Sequence, residues 1–508
     1  MQAAKRVAVN TVIEYTRLVV SVVLGLITSR VVLNSLGASD YGVYDVIGGV
    51  IGLLAFVKSS LAQTSFRFLS VSLGKKDKAD TRATFNNCFW LHVMLALSLV
   101  VILEVAGIFL FNGFLNIDPS RIRAAETVYH CMVFSLAIGI CDSPFVGLVR
   151  AHEKFIFSAG VGMLDACLKF AIAILISHAS VDKLKLYGML MALISTINTV
   201  CFVTYILAKY REEFHIGKPT FHGMKEVSGF AGWTVLDVLG TVATRQGYSV
   251  LLNKYFGTLI NAVFSLSRQV EGHVYTVSAS VMDTTKPQIM KSAGQGDYDR
   301  MFRISMTAGK FGFSMMSLIA IPLIVMMPDV LDLWLVNVPE GTALFTRLLL
   351  FATMAEQLTR GIYYASQANG KIKWFSITVS AIRFMALPIS WLCFHFGAPA
   401  YVAIIVFLCC EVLGSASRVF IVSRITVFKV SSFLKSVLLM ILPPCVLSFA
   451  VCIVGYKLMG HSIPAMIADL VLTAVVYAAL MYLIGLTKEE KASVDGIVKP
   501  HLKKLFRK

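Results

Sequence analysis

Fourteen long apolar segments, separated by short polar stretches, follow one another from residue 11 to residue 486. About 20 consecutive apolar residues cross the hydrocarbon core of a bilayer as a helix. Because lipid offers the backbone no hydrogen-bond partners, each segment is expected to be α-helical. The pattern predicts an all-α polytopic membrane protein with fourteen transmembrane helices, at 11–34, 40–71, 85–114, 122–149, 155–180, 186–208, 226–252, 259–285, 304–328, 342–368, 374–397, 399–423, 436–456 and 462–486.

Lysine and arginine alternate between the loops that join these segments. Loops on the side of the N-terminus carry 28 of them, counting both termini, and loops on the other side carry 6. Positive residues collect in short cytoplasmic loops, so both termini are predicted to be cytoplasmic. The net charge of +17 is mostly this effect. Nucleic-acid binding is a poor explanation, because the basic residues are divided among short loops beside anionic lipid.

Motifs for covalent chemistry are missing from the sequence. It contains no Walker A sequence, no dinucleotide-binding fingerprint and no HExxH. No loop is long enough for a catalytic domain, so we predict that the chain is not an enzyme. The 10 cysteines are scattered without a CxxC spacing, which favours neither a disulfide nor a metal site. We expect no cofactor, apart from a proton or sodium gradient.

The chain aligns with itself at a constant offset of 220 residues. Gly37 falls on Gly257, and Asp77 falls on Asp297. Because this offset spans six helices, the repeat is parallel and predicts two six-helix bundles related by a pseudo-two-fold axis, as in alternating-access transporters. The predicted regions are an N-terminal lobe (1–210), a cytoplasmic linker (211–225), a C-terminal lobe (226–424), helices 13 and 14 (425–486) and a basic cytoplasmic tail (487–508).

Cations inside the spans are the candidates for binding chemistry, because a charge at the centre of a membrane helix needs a partner or a wet cavity. Five are interpreted as lying at helix ends with their charge at the interface: Arg30, Arg67, Lys310, Arg347 and Arg418. Four more have a carboxylate three or four positions away, which places both groups on one helix face: Glu14–Arg17, Asp165–Lys169, Arg268–Glu271 and Glu356–Arg360.

No acidic residue lies three or four positions from Lys58, Arg245 or Arg383, which makes them the main candidates for cations that face a cavity. Arg268 is a weaker fourth candidate, because Glu271 lies three positions away. Spans 1, 2, 7 and 8 are equivalent helices of the two halves, so cations from both halves are predicted to face one cavity. Such a cavity attracts an anion, and arginine suits phosphate geometry in particular. We therefore predict a substrate that carries phosphate or pyrophosphate.

Carboxylates inside the spans are candidates for binding protons or sodium ions. The candidates for ion coupling are Glu14, Asp45, Asp237 and Glu271. Asp237 and Glu271 can be interpreted equally well as structural counter-ions of Arg245 and Arg268. A further set supplies secondary charge to the cavity: Asp165, Lys169, Glu356, Arg360 and Arg383.

Two segments of the first half resemble a known family. They are SLGASDYGVYDVIGGVIGLLAFVKSSLAQTSFRFLSVSLGKKD (35–77) and NIDPSRIRAAETVYHCMVFSLAIGICDSPFVGLVRAHEKF (116–155). Both are similar to Wzx-type polysaccharide flippases, which export O-antigen or capsule repeat units. These flippases belong to the multidrug/oligosaccharidyl-lipid/polysaccharide (MOP) superfamily, which also includes the MATE transporters.

The resemblance implies a transporter of the bacterial inner membrane that moves undecaprenyl-pyrophosphate-linked oligosaccharide from the cytoplasmic to the periplasmic leaflet. It implies the lipid-linked glycan, the bilayer and the polysaccharide polymerase machinery as partners, and a groove for the lipid tail at spans 13 and 14. The implied substrate-binding residues are Arg17, Arg30, Lys58, Arg67, Arg245 and Arg268.

Three alternatives stay open. A MATE-type multidrug or cation antiporter should have an acidic and aromatic cavity, whereas spans 1, 2, 7 and 8 hold more cations than anions. A flippase for another lipid-linked precursor, such as lipid II or a teichoic-acid precursor, fits the same charges. A membrane enzyme of polysaccharide assembly disagrees with the short loops and the even repeat.

Overall fold

The computed structural model describes residues 2–52, 54–114, 117–213, 217–335, 337–492 and 494–496. Every regular element within these ranges is helical, so the prediction of an all-α protein is confirmed. The predicted basic tail lies outside the described residues from residue 497 onward. By their contacts the residues divide into an N-terminal unit, Val12–Val238, and a C-terminal unit, Leu239–Lys508 with Met1–Thr11.

Eight helices begin in the first half of the chain, and the last of them continues into the second half. They are α1 (Gln2–Gly52), α2 (Ala55–Lys75), α3 (Lys78–Phe109), α4 (Ile122–Cys141), α5 (Ser143–Ala151), α6 (Phe155–Ser177), α7 (Lys183–Lys209) and α8 (Phe221–Gly294). The others are α9 (Tyr298–Trp334), α10 (Thr342–Leu358), α11 (Arg360–Asn369), α12 (Lys373–His395), α13 (Tyr401–Ile425), α14 (Val430–Phe433), α15 (Leu439–Met459) and α16 (Ile463–Leu480). Short π-helical turns occupy Leu110–Phe114, Leu434–Leu438 and Met481–Gly485.

Among the described residues, 11 helical segments are long and apolar enough to cross a membrane. The fourteen predicted spans all fall on helices, and three differences account for the lower number. The predicted span 40–71 is divided between α1 and α2, and span 342–368 between α10 and α11. The seventh and eighth predicted spans are joined in α8, which bends at Gly257 instead of forming a loop.

The repeat of 220 residues reappears in the backbone. Gly37 in α1 and Gly257 in α8 both have φ of 78°, with ψ of 164° and −173°, and each bends its helix. Asp77 and Asp297 are likewise equivalent: each caps the next helix by accepting a backbone N–H, at 2.8 and 3.0 Å. The two halves therefore share bends and helix starts.

We expect alanine at either bend to destabilise the protein, because an L-residue strongly disfavours this combination of φ and ψ. The expected cost is about 1–3 kcal/mol for Gly37→Ala and for Gly257→Ala. Gly49→Ala is the matched control, since Gly49 has helical geometry and open space around its Cα. Unfolding titrations in detergent micelles measure the three values, and equal stability of all three variants would contradict the strain at the bends.

The side chain of Arg347 in α10 replaces a backbone hydrogen bond that α9 lacks beside a proline. Pro328 has no N–H, so the carbonyl of Ile324 four residues earlier loses its helical partner. Arg347 Nε donates to that oxygen at 2.7 Å, and Nη2 donates to the carbonyl of Val325 at 3.2 Å. Its guanidinium therefore serves as a backbone cap, and its position at the interface stays a prediction.

Arg347→Met should cost about 1–3 kcal/mol of unfolding free energy, since it leaves a buried carbonyl without a donor. In a Pro328→Ala background the restored N–H can bind Ile324, so the same substitution should cost clearly less. The double-mutant cycle is measured by denaturant titration in micelles. Equal costs in both backgrounds would show that the guanidinium is not replacing the missing N–H.

A charged clamp joins three helices of the N-terminal unit at the end opposite the predicted cytoplasmic side. Arg121 donates to Asp40 at 2.8 Å and to Asp182 at 2.9 Å. Asp182 also caps α7 by accepting the N–H of Leu184. Burial raises the pKa of the Asp182 carboxyl, but the hydrogen bond and charge of Arg121, together with hydrogen bonds from the backbone N–H groups of Lys185 and Leu184, outweigh this effect and hold the pKa below its ordinary value. The clamp fixes α1, α4 and α7 together around the site described next.

Candidate functional site

The N-terminal unit contains a cavity of about 770 Å³, which we call the N-terminal cavity. It lies among α1, α2, α4, α5, α6 and α7. The charged side chains that line it are Arg17, Lys58, Asp142, Arg150, Asp165 and Lys169. Four cations thus face two carboxylates, and the low-dielectric walls of a cavity strengthen the resulting attraction for anions.

Lys58 in α2 lies in this cavity without an ion pair to any described residue. Asp142 attracts it electrostatically but lies beyond ion-pair distance, and Thr199 donates to Asp142 at 3.4 Å. A Cβ at Gly139 would collide with the end of the Lys58 side chain, so this glycine leaves room for the ammonium group. An ammonium group held in this way is available to a ligand.

Two other cations of the N-terminal cavity are already paired on their own helices. Arg17 Nε donates to Glu14 at 2.9 Å, and Lys169 Nζ lies 2.7 Å from Asp165. Asn198 donates to the second oxygen of Asp165 at 2.8 Å. Both ion pairs have the spacing predicted from the sequence. Their cations are therefore partly neutralised before any ligand arrives.

Four first-half residues predicted for substrate binding or ion coupling do not line the N-terminal cavity: Glu14, which pairs with the lining residue Arg17, and Arg30, Asp45 and Arg67. Arg30 and Asp45 are exposed on α1. Arg67 is buried, with its guanidinium 4.4 Å from the ring of Phe68 and 4.8 Å from the ring of Phe230. The interpretation of Arg67 as a cation at the interface is wrong, because aromatic faces stabilise it inside the protein.

The C-terminal unit contains a much smaller space of about 20 Å³, which we call the C-terminal cavity. It has room for about one water molecule. Its charged lining residues are Arg245, Arg268, Glu271, Glu356, Arg383 and Glu411. In this conformation it is a compact cluster of charges. A cavity shared by the two halves stays a prediction.

Glu356 is the centre of this charge cluster. One of its oxygens lies 2.6 Å from Arg360, 3.0 Å from Arg383 and 3.8 Å from Arg418. Arg383 also donates to Glu411 at 2.8 Å. Arg383, which has no acidic residue three or four positions away, therefore finds its carboxylate partners on other helices. Arg418 is buried within the cluster and does not reach the interface.

Glu271 is engaged by neighbours on two helices. Arg268 lies 3.4 Å from one of its oxygens, and Thr353 donates to the other at 2.8 Å. The pair Arg268–Glu271 has the predicted spacing. Arg245 lines the same cavity and is exposed, whereas Asp237 is buried in the N-terminal unit. Their participation in ion coupling stays a prediction.

Lys310 connects α9 to the segment after α16. Its ammonium group is buried, lies 2.7 Å from Glu490 and donates to the carbonyl of Gly485 at 3.2 Å. The interpretation of Lys310 as an interfacial cation is wrong as well. Glu490 lies in the predicted tail, where sequence spacing gave no reason to expect a partner.

The AHEKF segment forms a tight turn between α5 and α6. Glu153 has a φ of 60°, in the left-handed region. His152 is 2.6 Å from Glu213, and its ring stacks on Tyr210 at 4.0 Å. This segment therefore attaches the turn to the end of α7. None of its five residues lines the N-terminal cavity, whereas Arg150, which precedes the segment, does.

No protein-family model and no curated protein matches this sequence. Solved structures with the same fold are found, however. A MATE protein in its bent conformation shares 13% identity at a TM-score of 0.73, over 85% of this chain and 96% of its own. An outward-facing multidrug-resistance MATE family transporter of the MOP superfamily shares 15% identity at a TM-score of 0.66, with the same coverage.

A third structure is a MOP superfamily transporter from Pyrococcus furiosus, for which a binding pocket of reverse polarity is taken to suggest a different function. It shares 13% identity at a TM-score of 0.66, over 85% of this chain and 96% of its own. The chain therefore has the fold of MATE and MOP superfamily transporters, as the resemblance implied. It is a multi-pass membrane protein with this architecture.

Proposed function

We propose that the protein is a flippase, which moves undecaprenyl-pyrophosphate-linked oligosaccharide units from the cytoplasmic to the periplasmic leaflet of a bacterial inner membrane by alternating access. The observation that carries the proposal is the N-terminal cavity of about 770 Å³, in which Lys58 has no ion pair among the described residues. The MATE-like fold supports transport as the general activity, since the structural neighbours are transporters.

The charge of this cavity supports an anionic headgroup. Arg17, Lys58, Arg150 and Lys169 outnumber the two lining carboxylates, and Lys58 and Arg150 have no salt bridge to a described residue. Small-molecule pockets measure about 300–1,000 Å³. The N-terminal cavity therefore has room for a pyrophosphate with its first sugars, whose hydroxyl groups would meet the polar side chains of the wall.

The physical task needs binding and movement but no covalent chemistry. A pyrophosphate cannot enter hydrocarbon unaided, because burying a charge without partners is prohibitive. Fixed donors in a cavity that opens to one leaflet at a time would replace its water, while the polyprenyl tail stays in lipid beside helices α15 and α16. A proton or sodium gradient would supply direction.

The proposal is tested with purified protein in liposomes that contain fluorescent undecaprenyl-pyrophosphate oligosaccharide. An external quencher reports how fast the inner-leaflet headgroups become accessible. We expect rapid loss of protection with the protein and slow loss without it. Equal rates would contradict the proposal.

The same liposomes distinguish the competing cation antiporter. Its substrate would be an organic cation, which four lining cations should repel. We expect no efflux of a fluorescent organic cation under a proton or sodium gradient. Rapid cation efflux without flipping would replace the flippase by an antiporter.

A further inference from the structure

Asp469 is a buried carboxyl group in α16 that lines neither the N-terminal nor the C-terminal cavity. Its residue is 1% exposed. The side chain lies directly against α15 at Gly455, where an added Cβ would collide with the carboxyl oxygens. The glycine on one helix therefore makes the niche that the carboxyl on the other helix fills.

No cation accompanies Asp469 in the part of the chain that the structure describes. The thiol of Cys452 in α15 lies 3.6 Å from Oδ2, and Oδ1 has no hydrogen-bond partner. Along α16 its polar neighbour is Thr473, one turn further on. The hydroxyl of Thr473 lies close enough to interact with the carboxyl group, but its oxygen and Oδ1 do not form a well-aligned hydrogen bond.

Charged and titratable groups on α9, α10 and α16 have other partners, and Lys457 of α15 is exposed at the end of its helix. Asp329 of α9 accepts a hydrogen bond from Tyr456 at 2.6 Å and lies 3.1 Å from His461. Arg347 of α10 donates to the backbone of α9. Tyr477, further along α16, lies beside the thiol of Cys445. None of these groups neutralises Asp469.

A carboxylate buried without a partner is neutralised by a proton. A proton on Oδ1 would remove the buried charge, and the neighbouring hydroxyl oxygen of Thr473 can accept its hydrogen bond. We propose that Asp469 is a proton-binding site of the α15–α16 pair, occupied in this conformation, and that it releases its proton when water enters the niche during transport.

The release step rests on the proposed function, whereas occupancy by a proton does not. Occupancy is tested by infrared spectroscopy of the full protein in liposomes at neutral pH. We expect the carbonyl-stretch band of a protonated carboxylic acid in wild type and its loss in Asp469→Asn. The control is Asp165→Asn, which removes a carboxylate paired with Lys169 and should leave the band unchanged. A spectrum that is identical in wild type and Asp469→Asn would overturn the proposal.

One further variant and a second measurement keep the test decisive. Thr473→Val removes the acceptor and should shift the band without abolishing it. This variant keeps the carboxyl group and therefore still tests occupancy if Asp469→Asn fails to fold.

Proton release is tested by comparing flipping rates with and without an imposed proton gradient. We expect the gradient to accelerate wild type several-fold and to leave Asp469→Asn unaffected. An undiminished gradient effect in Asp469→Asn would overturn the release step, while wild-type liposomes without flipping would contradict the proposed function and leave the infrared result standing.

Discussion

Lys58→Gln should slow the flipping of pyrophosphate-linked oligosaccharide at least tenfold. Lys58 is the half-buried cation of the N-terminal cavity that forms no ion pair with a described residue. A hydrogen bond to a charged group contributes about 1.5–3 kcal/mol, which corresponds to roughly 10-fold to 150-fold in binding. The liposome assay with an external quencher measures the rate. Lys58→Arg keeps the charge and should retain a large part of the activity.

Lys209→Gln is the matched control for this substitution. It removes the same charge from the exposed end of α7, and Lys209 is absent from the lining of the N-terminal cavity. Its flipping rate should stay within twofold of wild type. Equal rates for Lys58→Gln and Lys209→Gln would show that the cavity cation does not bind the headgroup.

Glu356→Gln should destabilise the C-terminal unit by about 3–5 kcal/mol, the usual cost of breaking a buried ion pair from one side. Its carboxylate is the shared partner of Arg360, Arg383 and Arg418. Neutralising it leaves Arg360 without its salt bridge. Arg383 and Arg418 then keep Glu411 as their remaining carboxylate partner. Denaturant titration in micelles measures the change in unfolding free energy.

The control for this loss is Glu212→Gln. Glu212 pairs with Lys78 on the surface, where both side chains are mostly exposed and the ion pair contributes little to stability. Adding Arg418→Met to Glu356→Gln should recover part of the stability, because it removes one of the cations that then outnumber the carboxylates of the cluster. The account of the cluster fails if Glu356→Gln unfolds at the same denaturant concentration as Glu212→Gln.

The fold follows from the sequence to a large extent because lipid restricts the backbone. Apolar length alone predicted the helices, and the 220-residue offset predicted that Gly37 and Gly257 are equivalent, which their shared φ of 78° supports. Ion pairs within a helix were also predictable, since helix geometry fixes the spacing of Glu14–Arg17 and Asp165–Lys169. What the sequence did not show is that α8 continues through its bend.

The remaining contacts join helices that are distant in sequence, and spacing rules carry no information about them. Arg383 meets Glu411, 28 residues away, and Lys310 meets Glu490, 180 residues away. A weak signal was available for Asp469, an acidic residue alone in an otherwise apolar span. The selection of Lys58 from the sequence, by contrast, agrees with its place in the N-terminal cavity.

The most direct test of the central claim, a cationic site for a pyrophosphate headgroup, is equilibrium binding. A water-soluble oligosaccharide pyrophosphate is titrated into purified protein in a calorimeter at low and high salt. The account predicts saturable binding that weakens as salt screens the cavity charges and that falls at least tenfold in Lys58→Gln. Absence of binding by the pyrophosphate, together with saturable binding of an organic cation, would contradict it.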